Sequence, residues 1–228
     1  RKAQEGKNVV RLKGGDPFLF GRGGEELALL EENGIPFQEV PGVTSAIAVP
    51  AYGGIPVNHR DFTSSLHIIT GHARAGKDLD IDFEALVRTK GTLVFLMGVT
   101  SLPELCAGLL KAGMEPDTPA AIVERGTTPA QRRISGTVST LAPMAAEHQV
   151  KSPAISIFGP VCALAEQFDW FGALPLRGRR VVVTRPRERA GTLAQRLRDL
   201  GADVLEYPCI QTRPIWPCPG ILTRRWAR

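Results

Sequence analysis

"NVVRLKGGDPFLFGRGGEE", residues 8–26, decides how the chain is to be read. Val9, Val10 and Leu12 form an apolar run that reads as a buried strand, and it stops at Gly14-Gly15-Asp16-Pro17. Gly21, Gly23 and Gly24 follow, and then an acidic, leucine-rich stretch. Glu25 and Glu26 stand where a first helical turn favours carboxylates, and Gly34 supplies a stop, which predicts a helix over 23–34. Strand, glycine turn, helix is the arrangement in which α/β folds hold small charged ligands. Glycines let the main chain approach a ligand closely, and Asp16 offers acceptor oxygens to an amine or a ribose hydroxyl. A tight turn with an Asp N-cap accounts for the same residues. The glycine spacing is not G-x-G-x-x-G, so a Rossmann dinucleotide site is poorly supported.

The alternation continues downstream. "IPFQEVPGVTSAIAVPAYGGIPV" reads as strand, Pro-Gly turn, short helix and glycine loop. "SLHIITGH", "GTLVFLMG", "TPAAIVERGT" and "SPAISIFGPV" read as further strands. Between them lie "SLPELCAGLLKAG", a helix with a Ser101-x-x-Glu104 capping box, and the helical "TVSTLAPMAAEHQ". The fold class is α/β. Near 172–178, "GALPLRGR", the pattern restarts as strand "RRVVVTRP", helix "AGTLAQRLRDLGA" and strand "DVLEYPCI", a fresh βαβ unit too short for a whole domain. The ending "RPIWPCPGILTRRWAR" has no periodicity and reads as a truncated or frame-shifted tail.

Composition narrows the classes. The chain has 228 residues, 43% hydrophobic and 22% charged, as soluble globular proteins do. Its longest apolar runs, such as Leu93 to Met97, are far too short to span a membrane. Cys106, Cys162, Cys209 and Cys218 are widely spaced, which favours free thiols in a reducing cytoplasm over disulfides or zinc. The net charge of +5 is unevenly placed. From Arg177 onward there are 12 basic and 4 acidic residues, all the basic ones Arg; before it there are 16 basic and 19 acidic. A nucleic-acid surface needs its cations on the main body, where they are lacking.

Other motifs are weaker. "GHARAGKD", residues 71–78, matches G-x-x-x-x-G-K after a strand, but Asp78 replaces the Ser or Thr that binds magnesium, and "DLDID" sets carboxylates where phosphates need amides. His59-Arg60-Asp61 is an acid/base cluster, an anion site or a surface salt bridge. His67, His72 and His148 lack ligand spacing, and no metal site is expected. No G-x-S-x-G elbow occurs. Met97 of "FLMG" reads by default as a core side chain.

"GGDPFLFGRGGEE", "VPGVTSA", "GIPVNHRD", "ITGH", "TLVFLMGV", "ERGTTPAQR", "SPAISIFGPV" and "DWF" occur in an order that strongly resembles the uroporphyrinogen-III C-methyltransferases of the tetrapyrrole methylase family. The resemblance covers residues 1 to about 172. It implies two α/β methylase domains, the remainder of the N-terminal one in 1–64 and the C-terminal one in 65–175, with S-adenosylmethionine in the cleft between them and a tetrapyrrole substrate, in a homodimer without nucleic-acid or membrane partners. The activity it implies is methylation of uroporphyrinogen III at C2 and C7 to precorrin-2, for sirohaem or cobalamin. The implied cofactor contacts are Gly14, Gly15, Asp16 and Leu19, then Thr44 and Ser45, then Met97 and Gly126. The family's opening strand and loop, with an early Asp and a later Lys proposed as acid/base groups, have no counterpart here and would lie upstream of Arg1, so no catalytic residue is named. Residues 176–228 resemble the beginning of uroporphyrinogen-III synthase, carried by "VVVTRP" and "LGADVLEYPCI". Rival readings are a methylase of a later corrinoid precursor, a non-catalytic ligand-binding remnant, and an NTPase using "GHARAGKD". The substrate's eight carboxylates call for arginines, for which Arg11, Arg22, Arg60 and Arg125 are the candidates.

Overall fold

The computed structural model describes residues 1–71 and 80–210, so "GHARAGKD" beyond Gly71, His72, Cys218 and the aperiodic ending lie outside the described residues. The chain divides into two compact units, Arg1–Ala173 and Leu174–Arg228. The fold is α/β, as the sequence predicts.

The first unit is built on five strands, β1 (Leu66–Thr70), β2 (Thr92–Leu96), β3 (Pro119–Glu124), β4 (Arg132–Thr137) and β5 (Ala154–Phe158), in the order β1-β2-β5-β3-β4. β1 and β2 are parallel, and β5 runs antiparallel to both β2 and β3. β4 is antiparallel to β3. β1, β2 and β3 therefore point the same way, and their carboxyl ends share one edge of the sheet with the amino ends of β4 and β5. The helices are α1 (Gly23–Glu32), α2 (Ser45–Tyr52), α3 (Phe83–Arg88), α4 (Leu102–Lys111) and α5 (Leu141–Glu147), with a 3-10 turn at Pro160–Leu164.

Strand β2 shows why these elements assemble. "TLVFL" is buried along its whole length, as a central strand covered on both faces must be. Leu93 and Phe95 join Leu102, Leu105 and Leu109 of α4 and Leu141 of α5 on one face. Val94 and Leu96 join Ala46 and Val49 of α2 and Val161 of the 3-10 turn on the other. The period of two thus sends alternate residues into two separate cores. Phe95 and Phe158 meet edge to face at 5.6 Å in the first of these cores.

Several local expectations are corrected. Residues 8–12 are not a buried strand: Val9, Val10 and Leu12 are 59%, 88% and 85% exposed and pair with no described strand. Residues 35–40 are likewise irregular, with Phe37 and Val40 exposed. An apolar run records a demand for burial but not the neighbour that would satisfy it. The capping box at Ser101 does not form; the Ser101 hydroxyl instead donates to the Gly71 carbonyl at 2.6 Å, tying α4 to the end of β1. β4 and α3 carry no clear sequence signal. β4 is an edge strand whose "RRISGT" lacks a clean alternation, and α3 is only six residues long.

The second unit contains the expected βαβ arrangement: β6 (Arg180–Val183), α6 (Arg187–Asp199) and β7 (Asp203–Glu206), the two strands parallel. Val183, Ala194 and Ala202 are buried, while the paired Val182 and Leu205 are exposed. Arg180 binds Asp203 at 2.7 Å and Arg198 binds Glu206 at 2.6 Å.

Candidate functional site

The glycine turn and the loop before α2 are held together by Asp16. Its Oδ1 accepts the Phe18 and Leu19 amides at 2.9 and 3.0 Å, and its Oδ2 accepts the Gly42 amide at 3.2 Å. The hydrogen bond from Gly42, followed by that from Leu19, holds the carboxyl below its ordinary value of 3.8. Asp16 is therefore a brace between residues 14–19 and 42, and most of its acceptor capacity is already used. Gly42 must be glycine here, because a Cβ would stand 2.6 Å from the Gly15 carbonyl oxygen. Gly15 itself has a φ of 133°, open only to glycine.

Thr44 caps α2, its hydroxyl accepting the Ala46 amide at 3.2 Å, and Ser45 opens the helix exposed. Two residues further the loop has crossed from the braced turn into the sheet's second core through Ala46. The brace thus fixes where α2 starts. At its other end α2 meets the edge of the sheet: a Cβ on Gly126 would lie 2.4 Å from Cγ1 of Val49.

At the carboxyl edge of the sheet the main chain is strained. Met97, Arg125 and Thr127 have φ of 57°, 48° and 68°, left-handed values that cost a side-chain-bearing residue about 1–3 kcal/mol. Such residues gather where surrounding structure over-determines a binding surface, and the carboxyl ends of strands are where open α/β sheets hold ligands. Met97 is 52% exposed, which corrects its reading as a core side chain. Gly126 directly follows Arg125. The eight residues therefore fall into two groups: Gly14, Gly15, Asp16, Leu19, Thr44 and Ser45 around the brace, and Met97 and Gly126 at the strand ends. Helix α2 connects the groups through Val49.

The loop after β3 is fastened from several sides. The Arg125 amide donates to the Pro153 carbonyl at 2.9 Å, and its carbonyl accepts the Thr128 hydroxyl at 2.7 Å. Gln131, 6% exposed, accepts the Thr127 amide at 2.8 Å and donates to the Tyr52 carbonyl at 2.9 Å, so the loop is bonded to the last residue of α2. Glu124, 2% exposed, accepts the Lys151 amide at 3.0 Å and Arg132 Nε at 2.6 Å. Burial on its own would push this carboxyl up. The Lys151 amide, the hydrogen bond and charge of Arg132, and the charge of Arg125 together hold it below 4.5.

Sequence reasoning missed Arg133. Its guanidinium, only 11% exposed, donates to the carbonyls of Gly53 and Ala165 and pairs with Glu166 at 2.7 Å and Asp169 at 3.3 Å. It staples the end of α2 to the chain after the 3-10 turn. No spacing rule marks such a residue, because arginines are ordinarily surface groups. His59, Arg60 and Asp61 lie on the opposite edge. His59 bridges Thr63, whose hydroxyl donates to the Lys90 carbonyl just before β2 begins. Among the described residues no group of three or more His, Cys, Asp or Glu stands close enough to hold a metal ion, and no helix is long and apolar enough to cross a membrane.

The family model of the tetrapyrrole (corrin/porphyrin) methylases matches residues 1–142, which include the glycine turn and β1 to β4. The chain belongs to this family. It is 61% identical over 94% of its length to the porphyrin biosynthesis protein HemD of Ruminiclostridium josui, covering 42% of that protein. It is 45% identical over 91% of its length to the uroporphyrinogen-III C-methyltransferase of Bacillus subtilis, covering 43% of that one. The chain thus spans about two fifths of the length of the curated relatives it matches. Among solved structures, the uroporphyrin-III C-methyl transferase of Thermus thermophilus complexed with S-adenyl homocysteine superimposes with a TM-score of 0.60 at 37% identity, over 71% of this chain and 70% of that one.

Proposed function

We propose that the chain is the methyl-transfer portion of an enzyme that uses S-adenosylmethionine to methylate uroporphyrinogen III at C2 and C7, giving precorrin-2. The observation that carries this reading is the 37% identity to a methyltransferase whose solved structure holds S-adenyl homocysteine. The 45% identity to a relative named for the same reaction supports it further. The residues present fit the cofactor. Gly15 and Gly42 leave no side chain between two close strands of backbone, and the strained ends at Met97 and Gly126 form an open edge at the carboxyl side of the sheet.

When bound, the cofactor supplies an electrophilic methyl group on a sulfonium. The residues of this chain position and enclose it, because alignment with an electron-rich pyrrole carbon is most of what this transfer requires. Gly14, Gly15 and Leu19 supply the turn, and Asp16 holds that turn against residue 42 while keeping little acceptor capacity for a ribose or amine. Thr44 and Ser45 present the start of α2. Met97 and Gly126 bound the site at the strand ends. The second unit is read as the beginning of a uroporphyrinogen-III synthase module, which would make the substrate that the first consumes. A homodimer is part of the same proposal.

The test is incubation of the protein with isotopically labelled S-adenosylmethionine and uroporphyrinogen III, followed by mass spectrometry of the oxidised tetrapyrrole. Two labelled methyl groups per macrocycle are expected. S-adenosylhomocysteine binding with no label on any tetrapyrrole would overturn the activity while leaving the cofactor site standing.

A further inference from the structure

The proposed substrate is a macrocycle edged by eight carboxylates, and the candidate cations on this chain are not equivalent. Arg11 pairs with Glu26 at 3.5 Å, and Lys13 holds the same carboxylate at 2.9 Å. Arg132 is committed to Glu124 and to the His148 carbonyl. Arg133 is spent on the staple to Glu166 and Asp169. Arg60 is exposed but sits with Thr63 and Lys90 at the amino edge of the sheet, opposite the site. Arg22 is exposed at the left-handed entry to α1.

Arg125 combines three features. It stands at the carboxyl end of β3, adjoining Gly126. Its main chain is fixed at both its amide and its carbonyl, in a left-handed conformation that a free loop would abandon. Its side chain is exposed and forms no ion pair among the described residues. Its charge helps lower the nearby Glu124 carboxyl, but the hydrogen bonds of Glu124 go to the Lys151 amide and to Arg132. A guanidinium delivered by rigid backbone, with no ion pair among the described residues, is matched to an external carboxylate, which its planar fork binds bidentately.

We propose that Arg125 is a specificity-determining residue that binds a peripheral carboxylate of the tetrapyrrole, so that the macrocycle is oriented at the strand ends. This rests on the function proposed above and adds the residue that reads the substrate's acidic rim. Arg125 is not among the eight proposed cofactor contacts, so the two affinities are expected to separate when its side chain is changed.

Uroporphyrin III, the stable oxidised form with the same eight carboxylates, serves as the probe in a fluorescence titration of the full 228-residue chain. S-adenosylhomocysteine is titrated calorimetrically alongside it. Arg125→Ala is expected to weaken uroporphyrin binding by about tenfold to a hundredfold, the range for losing a hydrogen bond to a charged group. S-adenosylhomocysteine binding should stay within about twofold, which also shows that the variant is folded. Arg125→Lys should recover part of the loss, because the charge is kept and the fork is not. Arg60→Ala removes the same charge from the opposite edge and should leave both affinities unchanged. Unaltered uroporphyrin affinity in Arg125→Ala, or an equal loss in Arg60→Ala, overturns the proposal. A wild-type chain that binds S-adenosylhomocysteine but no uroporphyrin overturns it too, with the cofactor site intact. Binding of neither ligand brings down the proposed function itself.

Discussion

A single methyl group at Gly126 is enough to test how the two halves of the site are joined. Its Cβ would meet Val49 Cγ1 at 2.4 Å and Cγ2 at 2.5 Å, and Val49 is only 7% exposed. Gly126→Ala must therefore shift α2 or the loop after β3, at about 1–3 kcal/mol. A urea midpoint lowered without a change in slope is expected, together with weaker S-adenosylhomocysteine binding. Unchanged stability would mean that α2 does not rest on Gly126. Glu124 makes a pH-dependent contribution of definite sign. Its folded carboxyl titrates below the ordinary 4.5, so the stabilisation is fully present above that pH and is lost as pH falls through the folded value. Asp16 acts in the same direction, its contribution being lost as pH falls below 3.8. Urea midpoints measured from pH 6 down to pH 3 should fall for the wild type and fall less steeply for Glu124→Gln. Parallel curves for the two would show that the buried carboxylate is not what titrates.

At the scale of elements, the site depends on α2 keeping its place between two loops, and Gln131 is the side chain that links one of them to it. Gln131→Ala removes its hydrogen bonds to the Thr127 amide and the Tyr52 carbonyl, both part-buried, at about 0.5–1.5 kcal/mol for each. Hydrogen exchange should quicken at Thr127 while β2 stays protected; equal protection at Thr127 would assign the loop's rigidity to other contacts. None of this was legible in "ERGTTPAQR", since a loop glutamine that serves an amide four residues back and a carbonyl at the end of α2 leaves no periodic trace. Strands β2, β3 and β5 were legible because both faces of each are covered, which forces continuous apolar runs. Helix α4 was legible from a Ser101-x-x-Glu104 pattern whose box does not form, Ser101 serving Gly71 instead, while the buried Leu102, Leu105 and Leu109 hold the helix to the sheet. Residues 8–12 have the same composition as a buried strand without a described partner, so composition alone misplaced them. The glycine turn reads as a candidate ligand loop from its sequence, and the bracing of residue 42 by Asp16 is a tertiary fact that spacing does not carry.

Across the whole molecule, charge and chemistry are divided along the same line. All eight proposed cofactor contacts and Arg125 lie in Arg1–Ala173, the unit with 16 basic and 19 acidic residues. The following 55 residues carry the arginine excess that raises the sequence pI to about 9.3. Both hydrophobic cores of the five-stranded sheet are likewise closed by residues of the first unit alone. In the second unit the exposed Val182 and Leu205 leave a parallel pair covered on one side, whereas parallel strands are normally buried on both. A protein consisting of residues 1–173 should therefore fold, carry a small negative charge at neutral pH, and bind S-adenosylhomocysteine within about twofold of the full chain. Calorimetry on the two proteins side by side measures this directly. An affinity more than about tenfold weaker in the shorter protein would show that cofactor binding draws on the second unit, and the assignment of the site to the first would have to be given up.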